Sequence, residues 1–119
     1  MNKYGARIKP HFEAELGEAE RCSAQRDAAG SFTHLERAHV LGQSSTRLHV
    51  MAHWHMLKWA VRNVRPGEFV GQVVRIVGAA TKNAMGLVPE GNTGGSNVSP
   101  FKRMAVTGDL AGIIALARR

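Results

Sequence analysis

Residues 47–63, RLHVMAHWHMLKWAVRN, contain neither glycine nor proline and follow three capping candidates, Ser44, Ser45 and Thr46. They read as one helix over about 45–63. At about 100° per residue, Arg47, Met51, Lys58 and Arg62 share one arc of the wheel, and His49, Ala52, His53, Met56 and Ala60 share the opposite arc. The charged arc has to face water, because an unpaired cation is costly to bury. His49 and His53 therefore point inward, one turn apart, while His55 lies on the wet side with Lys58 and Arg62.

A helix with such an inner arc needs partners, and the flanking sequence supplies them. On the N-terminal side, Ser31 is a good cap, and Phe32, Leu35, Ala38, His39 and Gly42 share a face, which predicts a helix over 31–42. Before it, Pro10 suits a first helical turn, and the Ala- and Glu-rich stretch that follows, with Phe12, Leu16 and Ala19 at helical spacing, predicts a helix over 10–29 that ends before Gly30. On the C-terminal side, Pro66 opens a helix over 66–83 with an apolar face of Phe69, Val73, Ile76, Val77 and Ala80 and a flank of Glu68, Gln72 and Arg75. Gly71 inside it costs about 1 kcal/mol relative to alanine, which suggests close packing or room for a ligand.

Short connections at 29–30 and 63–65 make sequential helices antiparallel neighbours. The expected fold is all-α: one helical domain over 1–119, built as two antiparallel hairpins. The break before HLERAH resembles a tetratricopeptide hairpin in outline, although its spacing is too short for that repeat. Residues 84–107 have no periodicity and read as a long Gly/Asn-rich loop, expected to be ordered because Leu87, Val88, Val98, Phe101 and Met104 can pin it to the helices. A short helix over 108–117 follows, with Asp109 near its start.

Composition narrows the class. Among 119 residues, no stretch approaches the roughly twenty apolar residues of a membrane helix, and residues 1–13 lack the apolar run of a signal peptide. A lone cysteine, Cys22, forms no internal disulfide and no thiolate metal site, which suits a reducing compartment. The expected location is the cytoplasm, with no membrane partner. A net charge of +7 invites a nucleic-acid reading, but Arg7, Arg21, Arg37, Arg47, Lys58, Arg62, Arg75, Lys82 and Arg103 are scattered, with no basic run. A solvated basic surface explains them better.

Four blocks, HLERAHVLGQ at 34–43, HVMAHWHMLKWA at 49–60, EFVGQVVR at 68–75 and VPEGNTGGSNVS at 88–99, make the chain resemble a bacterial family of unknown function, domain-of-unknown-function family 3703. The resemblance implies a small helical bacterial protein and carries no activity.

The chemistry therefore rests on the residues. Five of the six histidines lie between His34 and His55, and His39, His49 and His53 fall on inner faces. HxxxH on a helix sets two imidazoles one turn apart, a bite that suits one divalent ion, and Glu36 and His39 at i, i+3 add a second pair. Packing of the two helices would join the pairs. The candidate metal ligands are His39, His49, His53 and Glu36, with Gln43, Glu68 and Gln72 around the pocket. Such donors suit zinc, copper, nickel or iron better than magnesium or calcium. Met51, Met56, Met85 and Met104 offer thioethers to copper(I), or fill core gaps.

The bland alternative is that these histidines are hydrogen-bonded core residues. HExxH is absent, so a metalloprotease general base is absent, and only Glu36/His39 matches the ExxH of a di-iron bundle. No Ser/His/Asp or Cys/His set can be assembled from helical spacing, so no reaction is assigned. His11, His34 and His55 read as surface residues. In the EGNTGGSN run, Asn92, Thr93, Gly94, Gly95 and Asn97 could form an anion-binding nest, a lid over the histidines, or simply tight turns, and no P-loop or Rossmann pattern fits. Trp59 reads as core. Trp54, beside Val50 and Val61, marks a candidate interface, and the competing function is a helical interaction module that binds a partner protein or a second copy through the groove between hairpins.

Overall fold

A computed structural model describes residues 2–82 and 106–119, and of 79–82 the backbone alone. The chain forms α1 (Lys3–Ala24), α2 (Ala28–Gly42), α3 (Thr46–Arg62), α4 (Pro66–Lys82) and α5 (Gly108–Ala117), with no strand among the described residues. The predicted loop over 84–107 lies almost entirely outside them, and with it Asn92, Thr93, Gly94, Gly95, Asn97, Met85 and Met104.

Helix α1 begins seven residues before the expected start. Asn2 caps it by accepting a 2.7 Å bond from the Gly5 amide. The first turns are held down by Ile8, fully buried with Phe12 one turn later, and by the Tyr4 hydroxyl, which donates to the Leu41 carbonyl at 2.7 Å. Pro10 thus sits inside the helix. It and Ala6, whose carbonyl loses a donor, are both exposed, so water can replace the missing bond.

Helix α1 also stops earlier than expected, at Ala24 rather than near Gly30. Arg26 adopts a left-handed conformation at φ 59°, and the amides of Arg26 and Asp27 donate back to the carbonyls of Ser23 and Cys22. That is a Schellman ending without its usual glycine. Asp27, not Ser31, caps α2, accepting from the Gly30 amide at 2.9 Å. A Cβ on Gly30 would come within 2.2 Å of that carboxylate, so glycine is needed for the cap rather than for a break. Ser31 is instead buried within α2, its hydroxyl 2.9 Å from that of Ser23. Helix α3 ends in the same manner, with Val64 at φ 53° and Arg65 donating to the Ala60 carbonyl.

The main core joins Ile8 and Phe12 of α1, Ala38 and Leu41 of α2, Leu48 and Ala52 of α3, and Leu110 and Ile114 of α5. A second cluster holds Ala19, Leu35 and Met56, flanked by Phe32 and Trp59. Met56 is therefore a core thioether. The Trp59 indole donates to the Ala28 carbonyl at 2.9 Å, whereas Trp54 is exposed. Arg37 ties α5 in place, bonding Glu15 on α1 at 2.9 Å and Asp109 at 2.5 Å.

Helix α4 overturns an expectation. Among the described residues it packs on α3 alone, and the face it turns inward is the polar flank. Gln72 is fully buried and Glu68 half-buried, while Phe69, Val73 and Val77, expected inside, are exposed. Polar groups on α3 need hydrogen-bonding partners, and α4 supplies them. No described helix is long and apolar enough to cross a membrane.

Candidate metal centre

His39 comes from the last turn of α2, and His49 and His53 from successive turns of α3. On α3, Leu48, His49, Ala52, His53, Met56 and Ala60 are buried and Arg47, Lys58 and Arg62 exposed, while Met51, expected on the wet arc, is half-buried against the main core. The three imidazoles are 1–3 % exposed. Their rings stand 4.6 to 4.9 Å apart, centre to centre. The Nε2 of His49 lies 2.9 Å from that of His39 and 3.2 Å from that of His53. Two nitrogens bound tetrahedrally to one ion at about 2.0–2.1 Å would stand about 3.3 Å apart, so small shifts would seat an ion.

Proton counting sharpens the geometry. An imidazole nitrogen carries one in-plane hydrogen or one lone pair. The His49 Nε2 faces two neighbours and can serve only one of them well. A cation accepting one lone pair from each ring satisfies all three nitrogens together.

One tautomer follows from the network around it. Glu68 accepts a 2.5 Å bond from the Gln72 amide nitrogen, which turns the Gln72 carbonyl oxygen toward His53. That oxygen, 2.5 Å from the His53 Nδ1, must accept, so Nδ1 carries the proton and the His53 Nε2 presents its lone pair to the cluster. Burial pushes the His53 pKa down to about 4, the Gln72 bond partly opposes this, and the Arg75 guanidinium lowers it further. His53 is neutral at neutral pH, as a ligand must be.

Among the described residues, the only cluster of potential ligands is these three histidines. Glu36, expected as a fourth ligand, is not part of it. It lines a cavity of about 220 Å³ with Val40, Val106 and Leu110. Gln43 is buried at the C-terminal end of α2. The expected lid, Asn92 to Asn97, lies outside the described residues.

Two histidines expected on the surface are half-buried. His34 has its Nδ1 2.7 Å from the Glu15 carboxylate that Arg37 also binds. His55 lines a cavity of about 300 Å³ with Glu20, Lys58, Trp59 and Arg62. Burial, then Lys58, lowers its pKa, against the pull of Glu20. His11 is exposed. Arg75 escaped the sequence reading as a site residue, and the only signal for it was its place beside Gln72 on the polar flank of α4.

A family model described as a protein of unknown function, DUF3703, matches residues 6–114. No curated protein and no solved structure matches the chain.

Proposed function

The chain belongs to the DUF3703 family of proteins of unknown function, and we propose that it binds one divalent transition-metal ion through the Nε2 atoms of His39, His49 and His53. The observation that carries this reading is the position of the His49 Nε2, 2.9 Å and 3.2 Å from its two counterparts. An all-nitrogen cap suits zinc, copper, nickel or iron rather than magnesium or calcium. The protein then serves as a metal carrier or sensor, or as a small metalloenzyme using the remaining coordination position. The buried free thiol of Cys22 supports a reducing compartment, and we assign the protein to the cytoplasm.

Elemental analysis of protein purified without a histidine tag tests the proposal. We expect one metal per chain, lost in the His49→Ala/His53→Ala double variant. Native protein that binds no zinc, copper, nickel or iron after dialysis against each would sink it.

A second reading draws on the exposed apolar residues Trp54, Val61 and Val64, with Val70, Val74 and Val77 of α4. Such a surface suits self-association with a second copy. Sedimentation of native protein and of the Trp54→Ser/Val74→Ser variant distinguishes the two readings: metal-free native dimers that the variant disperses favour this one.

A further inference from the structure

We propose that the cleft between α1 and α3, floored by α2, binds a small organic acid as its monocarboxylate, at a site separate from the histidine cluster and independent of the metal reading.

The cleft is a cavity of about 300 Å³, at the lower end of the range for small-molecule sites. Its lining includes Leu16, half-buried, and Ala19 and Leu35, both buried, which give an apolar body something to rest on. Trp59 forms one wall and is fixed in place: its indole donates to the Ala28 carbonyl at 2.9 Å, and its ring packs on Phe32 with 4.5 Å between centroids. A wall held by the protein's own contacts saves a ligand the entropy of ordering it. Spacing of one and two turns puts Lys58 and Arg62 on the same side of α3 as His55, and all three line the cleft with Trp59.

Two sets of polar groups choose the ligand. Ser23 and Ser31 line the cleft with their hydroxyls 2.9 Å apart, and Ser31 is only 2 % exposed. Their mutual bond uses one of two O–H hydrogens, and among the described residues no other bond takes the second. That hydrogen calls for an acceptor. At the exposed rim stand Glu20, Lys58 and Arg62, which leave a charge of +1 before His55 is counted. Among the described residues Lys58 has no ion pair, and Arg62 meets Glu20 at 3.7 Å with the two side chains 54 % and 73 % exposed. Such a pair is weak and easily exchanged. A carboxylate offers the Arg62 guanidinium two oxygens and lies within the field of Lys58, so it displaces Glu20 and leaves the rim neutral. Arg26 adds to the positive sign, lining with Ser23 and Arg62 a second cavity of about 210 Å³.

Phenylacetate is the probe, with phenylacetamide and phenethylamine as its neutral and cationic counterparts, each titrated into the full-length protein. The Trp59 indole 1H–15N signal reports the cleft, and the exposed Trp54 indole serves as the internal control. We expect phenylacetate to shift Trp59 saturably, with Trp54 unmoved and a Kd in the millimolar range. The amide should bind about tenfold or more weakly, as loss of a charge-assisted bond implies, and the amine more weakly still. Arg62→Gln and Lys58→Gln, both at exposed positions, should each weaken phenylacetate several-fold, whereas Glu20→Gln should tighten it by removing the competing carboxylate. Circular dichroism of each variant checks that the helices persist. Equal affinity for phenylacetate and phenylacetamide, or tighter binding of phenethylamine, would overturn the choice of an anion. No saturable shift of Trp59 with any of the three would overturn the site itself, and either result leaves the metal reading untouched.

Discussion

Replacing Gln72 with leucine removes the side chain through which α4, among the described residues, hydrogen-bonds the histidine cluster. Gln72 is fully buried, and leucine is close to it in size, so the change acts mainly through hydrogen bonds. The His53 Nδ1–H loses its 2.5 Å acceptor, and half-buried Glu68 loses a 2.5 Å donor that water can replace. One unpaired buried donor costs about 1–3 kcal/mol. Unfolding entropy of about 2.1 cal/mol/K per residue gives roughly 0.25 kcal/mol/K for 119 residues, so the apoprotein should melt about 4–12 °C lower. Because the Gln72 bond raises the His53 pKa, its loss should move that value further down. Metal affinity should fall about 10–100-fold, since a ligand histidine released from its outer partner samples both tautomers and more than one ring orientation. Competition titrations with a chelator measure the affinity, and long-range 1H–15N correlation of the His53 ring reads the tautomer directly. An affinity within about twofold of native, with His53 Nδ1 still protonated, would refute the positioning role of Gln72 and reduce it to packing.

Four further outcomes follow from the same structure. In apoprotein, His53 titrates near 6.5 when unfolded and near 4 when folded, so between these values the unfolded chain binds more protons; stability should be full above about pH 6.5 and fall by on the order of 3 kcal/mol toward pH 4, as urea midpoints across that range will show. Val64→Gly should stabilise the protein by about 0.5–1 kcal/mol, read as a melting temperature about 2–4 °C higher, because a β-branched residue at φ 53° is strained where glycine is not; no gain would refute the strained Schellman ending. Gly42→Ala should cost about 1–3 kcal/mol, since its Cβ would meet the Leu48 Cβ at 2.9 Å and the Phe12 ring at 3.1 Å, and a melting temperature equal to native would contradict that packing. Arg37→Ala unties Glu15 from Asp109, and amide hydrogen exchange should speed up in α5 well before α2 or α3; uniform protection across the three helices would show that the apolar contacts of Leu110 and Ile114 hold α5 unaided.

Local pattern was enough wherever one helix had to choose which side to bury. Arg47, Lys58 and Arg62 force their arc of α3 outward, so His49 and His53 had to turn inward, and the 46–62 and 66–82 helices start within a residue of where Thr46 and Pro66 place them, although Ser45 makes no side-chain cap bond. The ends of α1 were illegible for a local reason as well: a left-handed C-terminal residue is normally glycine, and here it is Arg26, while the nearby Gly30 serves the Asp27 cap. The orientation of α4 was decided by tertiary structure. Its apolar residues suggested an inward face, yet Gln72 turned inward because the buried Nδ1–H of His53 needs an acceptor, a requirement set by another helix. The cluster itself depends on the packing of α2 against α3. Helical period sets the angle of a side chain about its own axis but not the distance between two axes, and only that distance brings the His39 Nε2 within 2.9 Å of His49.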